Sequence, residues 1–422
     1  MEFSKFFQAF KIKDLRNKIL AVAFLLLCFR ILAAIPIPGI DPIALKNFFS
    51  SNQLFSFLGV MSGSALSNLS IVMMGVGPYI TATIIMQLLT MIFPQLKEMY
   101  YEEGAAGRAK FNRYSRILTV PLAVLQAYGF LNLLISKNAV NFSGTFDIVK
   151  NVIIVTAGSM ILMWIGELIT EYKIGNGVSL LIFAGIVSQV PDLIISLIAS
   201  YSPEVLVTYI GFTIVAILVI AGVVLVNEGE RKIPISYAKQ VRGNKMYGGV
   251  SSYLPIKVNQ AGVIPIIFAI SVLLFPQFIA QISSVFSKGF SLKMIDFVNN
   301  YFNNVYIHSV FYFALVVIFT YFYTAITFDP NEISKNLQRF GGFITGIRPG
   351  ESTANFLSKI TSRIILWGAL FLGLIAILPS LMQIITGLNF LTIGGTAILI
   401  VVSVALETIK QINSQLIMRE YE

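Results

Sequence analysis

Long apolar stretches separated by short polar or basic segments set the pattern of this chain. Charge-poor windows fall near residues 19–34, 71–93, 117–135, 152–166, 178–190, 205–226, 261–280, 306–328, 364–378 and 390–406, and each predicts an apolar helix. A helix needs about 20 mostly apolar residues to cross the hydrocarbon of a bilayer, so ten spans are expected, several of them from windows shorter than that. The stretch from Leu54 to Phe93 breaks the pattern. Its first part, Leu54 to Leu69, mixes Ser56, Ser62, Gly63, Ser64, Ser67 and Asn68 with Phe55, Phe57, Leu58, Val60, Met61 and Leu66. Its second part, Ile71 to Phe93, opens with Gly75-Val76-Gly77-Pro78 and is expected to continue as one membrane helix. A segment that folds back into a bilayer before a full span must be shielded from lipid, because its backbone groups find no water there. The first part is therefore expected to sit in a protein-lined cavity, as a stopper.

Composition turns this pattern into a class. Of 422 residues, 56% are hydrophobic and 12% charged, with mean hydropathy +0.81, which places the chain among all-α polytopic membrane proteins and excludes soluble globular readings. Ten spans put both termini on one side. Of the 30 Lys and Arg, only Lys46, Lys137, Lys150, Lys288 and Lys293 fall in the opposite loops, and Arg30 lies near the far end of the first span. The termini are therefore predicted to be cytoplasmic, with Arg30 snorkelling to its nearer interface. Cys28 is the only cysteine and His308 the only histidine, so neither a disulfide frame nor a Cys/His metal site can be built, and no cofactor is expected. The first apolar stretch follows basic residues as a signal peptide does, but Pro36, Pro38 and Gly39 follow it instead of a small-x-small cleavage site; it reads as a retained span.

No low-complexity linker divides the chain, so residues 1–422 are expected to form one integral unit. Spans one to five (1–190) and six to ten (191–422) are expected to be halves of inverted topology, an arrangement that places a site or pathway between them. Two basic loops lie on the cytoplasmic side. One, 227–257, carries Arg231, Lys232, Arg242 and Lys245, and the alternation in Arg231-Lys232-Ile233-Pro234-Ile235-Ser236-Tyr237 predicts an extended hairpin arm. The other, 329–359, carries Arg348 between Gly341-Gly342 and Pro349-Gly350. Charge alone makes such loops ordinary positive-inside topology; the functional alternative is docking of an acidic or RNA-rich partner.

All 20 Asp and Glu fall in loops or at span ends, which disfavours ion-coupled transport. Phosphate-loop, nucleophile-elbow and His-Glu-x-x-His patterns are missing, so an enzyme is not expected. Val76, Ile80, Ile182, Ile186, Ile267 and Ile400 are accounted for singly by lipid-facing or core packing. Around an assumed pathway they would form an apolar constriction that bars water and ions by dewetting. Gln87 and Asn259 are candidates for a polar contact between helices, with ordinary interhelical packing as the plainer account.

Several long blocks resemble the SecY family, the channel-forming subunit of the bacterial protein translocase, related to the alpha subunit of the eukaryotic and archaeal translocon. They include Ile35-Pro36-Ile37-Pro38-Gly39-Ile40-Asp41, the run from Gly77 to Leu89, Gly175-Asn176-Gly177, the run from Tyr253 to Pro265, and Gly341 to Gly350. The resemblance covers nearly the whole chain. It implies two pseudosymmetric five-helix halves around an hourglass pore. It also implies a pore ring at Val76, Ile80, Ile182, Ile186, Ile267 and Ile400, and a plug from about Phe55 to Ser70 containing Phe57, Met61, Gly63, Leu66 and Asn68. A lateral gate would run between spans two and three and spans seven and eight, with Gln87 and Asn259 beside it. Arg348, together with Arg231, Lys232, Arg242 and Lys245 of the other basic segment, would meet a SecA-type motor ATPase or the ribosome. SecE-type and SecG-type small membrane subunits are implied partners, with signal sequences, nascent chains and membrane lipids, in the bacterial plasma membrane. The expected mechanism is passive gating: a signal sequence favours the open arrangement, polar segments pass outward, and apolar helices leave sideways. A small-solute secondary transporter with inverted repeats, an intramembrane enzyme and a non-transporting insertase or scaffold are the rival readings.

Overall fold

The computed structural model describes residues 10–38, 65–66, 69–136, 140, 144–199, 206–237, 240–242, 245–247, 251–273, 276, 305–386 and 394–420. The expectations for Phe55, Phe57, Met61, Gly63 and Asn68 lie outside these residues. Each of the ten apolar windows falls on a helix: α1 (Lys13–Ala34), α2 (Gly77–Ile92), α4 (Gly104–Ser136), α5 (Thr145–Glu171), α6 (Gly177–Val187), α8 (Leu206–Glu228), α9 (Ile264–Leu273), α10 (Val305–Thr327), α12 (Glu351–Thr386) and α13 (Gly394–Glu420). Between them lie the short helices α3 (Pro94–Tyr101), α7 (Val190–Ala199) and α11 (Pro330–Arg339). Among the described residues, α1, α5, α8, α10, α12 and α13 are long and apolar enough to cross a membrane, and the bent pair α2–α3 makes a seventh candidate.

The second apolar window is not one continuous helix. Ile71 to Val76 form turns, with Leu69 at φ +42° and Gly75 at φ +57°, and the helix begins only at Gly77. Pro78 suits that first turn, where a missing N–H costs nothing. At the other end Pro94 keeps Phe93 extended (φ −106°, ψ 109°), ending α2, and α3 leaves at 111°.

The described elements form two units. One holds α1 to α7 and most of α13; the other holds α8, most of α9, α10 to α12 and the strands. In the first, Leu66, Leu69 and Met73 share a buried cluster with Phe130 and Leu134 of α4 and Val155 of α5. Here α5 comes close enough that a Cβ on Gly158 would sit 2.1 Å from the Ile71 carbonyl oxygen. In the second unit Gly368 of α12 gives the same access to Val258, whose carbonyl oxygen would lie 2.5 Å from an added Cβ. Small residues at such points let backbones approach, which is how membrane helices gain packing energy without a hydrophobic driving force.

The basic segment 227–257 is a hairpin, as its alternation predicts. β1 (Glu230–Tyr237) pairs antiparallel with β4 (Ser251–Lys257), from Glu230↔Lys257 to Ser236↔Ser251, and β2 (Gln240–Arg242) pairs with β3 (Lys245–Tyr247) toward its tip. The second basic segment is more than a loop. It contains α11, then β5 (Gly342–Ile344), which pairs antiparallel with β1 through Ile235↔Ile344, and then the start of α12. Ile233, Ile256 and Ile344 bury against Leu357 of α12, so both basic segments share one small core.

Candidate functional site

Residues flanking the expected stopper are pinned to each other. The Ile37 N–H donates to the Leu69 carbonyl at 2.9 Å and the Ile71 N–H to the Ile35 carbonyl at 3.0 Å, making a two-residue antiparallel bridge around Pro36 and Ser70. The intervening chain therefore starts and ends at one point. Of the residues singled out for the plug (Phe55, Phe57, Met61, Gly63, Leu66 and Asn68), Leu66 is the one described, and it is buried in the α4–α5 cluster. The left-handed turn at Leu69, unfavourable for a residue with a Cβ, stands at the end of this stretch.

Of the six predicted ring positions, Val76, Ile182, Ile186, Ile267 and Ile400 are buried and Ile80 is half-buried. Ile80 donates its N–H to the Val76 carbonyl at 3.0 Å, so the two lie one turn apart at the start of α2. Ile182 and Ile186 are likewise one turn apart on α6. Ile267 belongs to the second unit, and Ile400 lies where α13 enters the first. Helical spacing thus joins Val76 to Ile80 and Ile182 to Ile186.

The Gly175-Asn176-Gly177 block is what aims α6. Asn176 caps the helix by accepting the Ser179 N–H at 3.2 Å, and the Gly177 N–H donates to Thr170 Oγ1 at 2.9 Å. A Cβ on Gly177 would fall 1.8 Å from the Gly166 carbonyl oxygen, so α6 can start only where glycine leaves room beside α5. Arg116 of α4 and Glu167 of α5 pair nearby at 3.3 Å, a link the sequence does not advertise.

Of the gate candidates, Gln87 buries its Oε1 without a hydrogen-bond partner among the described residues. Asn259 donates to Asn227 Oδ1 at 2.8 Å and to the Gly262 carbonyl at 3.2 Å, tying the end of α8 to the approach of α9. Asn227 escaped the sequence reading, since one polar residue at an apolar helix end is commonplace.

The basic candidates lie on two sheets, β4-β1-β5 and β2-β3, and on the turn after β5. Arg231 and Lys232 are exposed on β1, with Lys232 reaching Glu230 at 3.3 Å, an exposed pair of little energetic weight. Arg242 and Lys245 are register partners in β2–β3. Arg348 is exposed on the turn after β5, where Gly346 (φ +84°) and Gly350 (φ +101°) take conformations that side chains resist. Pairing of β1 with β5 therefore brings Arg231, Lys232 and Arg348 onto one structure. Ser334 and Thr353, which bond the backbone of this turn, were missed: hydroxyls in a basic segment carry no sequence signal.

Comparison with known proteins agrees along the whole chain. The SecY family model matches residues 70–409. The protein translocase subunit SecY of Mycobacterium leprae is 42% identical, covering 99% of both chains, and that of Thermus thermophilus is 40% identical, covering 99% of this chain and 96% of the relative. Among solved structures, a protein-conducting channel superposes with TM-score 0.64 at 20% identity, covering 93% of this chain and 91% of its own. Sec61 in the canine ribosome–channel complex from the endoplasmic reticulum gives 0.62 at 21%, with the same coverage.

Proposed function

The chain belongs to the SecY family, and from that membership we propose how its parts divide the work of a protein-conducting channel. It is a multi-pass membrane protein and a channel subunit rather than a catalyst. It passes unfolded secretory proteins across the membrane and releases transmembrane helices sideways into lipid. The observation that carries this is the full-length 42% identity to translocase subunits, and a small-solute transporter is not favoured.

In this reading the membrane is the bacterial plasma membrane, with ten spans in two halves and both termini cytoplasmic. Val76, Ile80, Ile182, Ile186, Ile267 and Ile400 form the ring; their burial and paired spacing support it. The segment from about Phe55 to Ser70 is the plug, tethered by the bridge between residues 35–37 and 69–71. A signal sequence enters beside Gln87 and Asn259 and shifts the equilibrium because it prefers the open state. Apolar helices then exit to lipid, each buried methylene favouring that route by about 0.8 kcal/mol. Arg231, Lys232, Arg242, Lys245 and Arg348 dock a SecA-type motor or the ribosome, and SecE-type and SecG-type subunits complete the channel.

The test is crosslinking of a stalled precursor to a cysteine at Ile267, with Cys28 changed to Ser, in membranes supplied with motor and ATP. An adduct that requires ATP and a signal sequence is expected. A bound, engaged precursor that gives none would remove Ile267 from the path.

A further inference from the structure

Arg348 is displayed by a turn that two buried hydroxyls hold from outside it. Thr353 Oγ1, in the first turn of α12, donates to the Arg348 carbonyl oxygen at 3.0 Å; Ser334 Oγ, in the middle of α11, donates to the Gly350 carbonyl oxygen at 2.6 Å. Both residues are 3% exposed. Thr81, Thr320, Thr324 and Thr408 bond back four residues along their own helices, whereas Ser334 reaches a carbonyl sixteen residues away. Between the two held carbonyls stands Pro349, which fixes its own φ and confines Arg348 to an extended backbone. Gly346 and Gly350 close the turn on either side at φ +84° and φ +101°. The backbone of 348–350 is thus gripped by α11 and α12 together, while the Arg348 side chain stays exposed.

We infer that Ser334 and Thr353 are positioning residues for Arg348, setting the direction in which its guanidinium meets an acidic site on the cytoplasmic motor. This rests on the reading of Arg348 as a motor contact. A guanidinium forms two parallel bonds to a carboxylate in one plane only, so the value of the contact depends on where the backbone launches the side chain. The Gly350 carbonyl also accepts the Thr353 and Ala354 N–H groups at 3.0 and 3.1 Å, so Ser334 adds the hold of α11 to a carbonyl that α12 already caps. Loss of the Thr353 hydroxyl takes the side-chain donor from the Arg348 carbonyl, and loss of either hydroxyl frees the turn to tilt.

The experiment is a double-mutant cycle in membrane vesicles carrying the full-length channel, reading the motor concentration that gives half-maximal precursor translocation. Thr353→Val keeps the side-chain volume and removes the donor; Thr353→Ser keeps the donor. Thr353→Val and Ser334→Ala are each expected to raise the required motor concentration about five-fold, and Thr353→Ser to stay within about two-fold of the parent. In an Arg348→Ala background neither should add more than about two-fold, because a positioning residue acts through the residue it positions. Parental motor dependence of Thr353→Val overturns the inference, and so does a full five-fold additional loss in the Arg348→Ala background, which would assign the hydroxyls to loop stability alone. Should Ser334→Ala fail to accumulate, the Val and Ser variants at Thr353 decide. Parental behaviour of Arg348→Ala alone would instead sink the motor reading of Arg348, a result separable from the other two.

Discussion

At the scale of single residues, the most consequential positions are aliphatic or absent side chains. Ile400 is fully buried, and Ile400→Asn places an amide there at about 1–3 kcal/mol. If Ile400 belongs to the ring, the closed state loosens and precursors with defective signal sequences are exported more readily; unchanged export from a channel that is merely less stable would make it core. Gly158 offers a cleaner case, because an added Cβ would meet the Ile71 carbonyl oxygen at 2.1 Å, backbone against backbone. Gly158→Val is expected to cost about 1–3 kcal/mol and to lower the thermal midpoint of the detergent-solubilised channel. Arg348→Glu belongs here too. Its side chain is exposed, so folded channel should accumulate normally while motor-driven export falls sharply, and normal export in vesicles would take Arg348 off the contact surface.

At the scale of elements, the strands carry the clearest prediction. β5 is three residues long and holds its place through the Ile235↔Ile344 pairing and the burial of Ile344 beside Leu357. Ile344→Asp puts a charge into that core, so β5 should detach from β1. Limited trypsin treatment then should cut after Arg339 at least ten-fold faster, with the membrane helices unaffected; an unchanged cleavage rate would mean that β5 is held by α11 and α12 instead. The β1–β4 hairpin was legible because Ile233 and Ile235 alternate with exposed neighbours. β5 was not, since Gly-Phe-Ile has no periodicity to read. α11 had a signal in Asp329-Pro330, a cap followed by a proline in the first turn, and Asp329 does accept the Asn331 N–H at 2.9 Å; the basic charge of the segment drew the reading toward a loop. The start of α2 was legible, since Gly75-Val76-Gly77-Pro78 marks the boundary after which the helix runs; the turns from Ile71 to Val76 were not, because their apolar side chains suit the window as well as a helix would.

At the scale of the whole molecule, orientation is the property to test. With Cys28 changed to Ser, single cysteines at Lys232 and at Lys150 should react with an impermeant thiol reagent from opposite faces of the membrane, and labelling of both from one face would overturn the assigned topology. Hydropathy and the distribution of Lys and Arg determine the class, the ten windows and the expected sidedness without any tertiary information, because transfer into lipid and the charge bias of loops act segment by segment along the chain. Long family blocks such as Gly77 to Leu89 add identity in the same local way. What needed the folded chain is whatever depends on partners distant in sequence: β5 on β1, the tether of residues 35–37 to 69–71, and Ser334 under Gly350. Backbone carbonyls and hydroxyls look alike at every position of a sequence, and only close approach in three dimensions decides which of them meet.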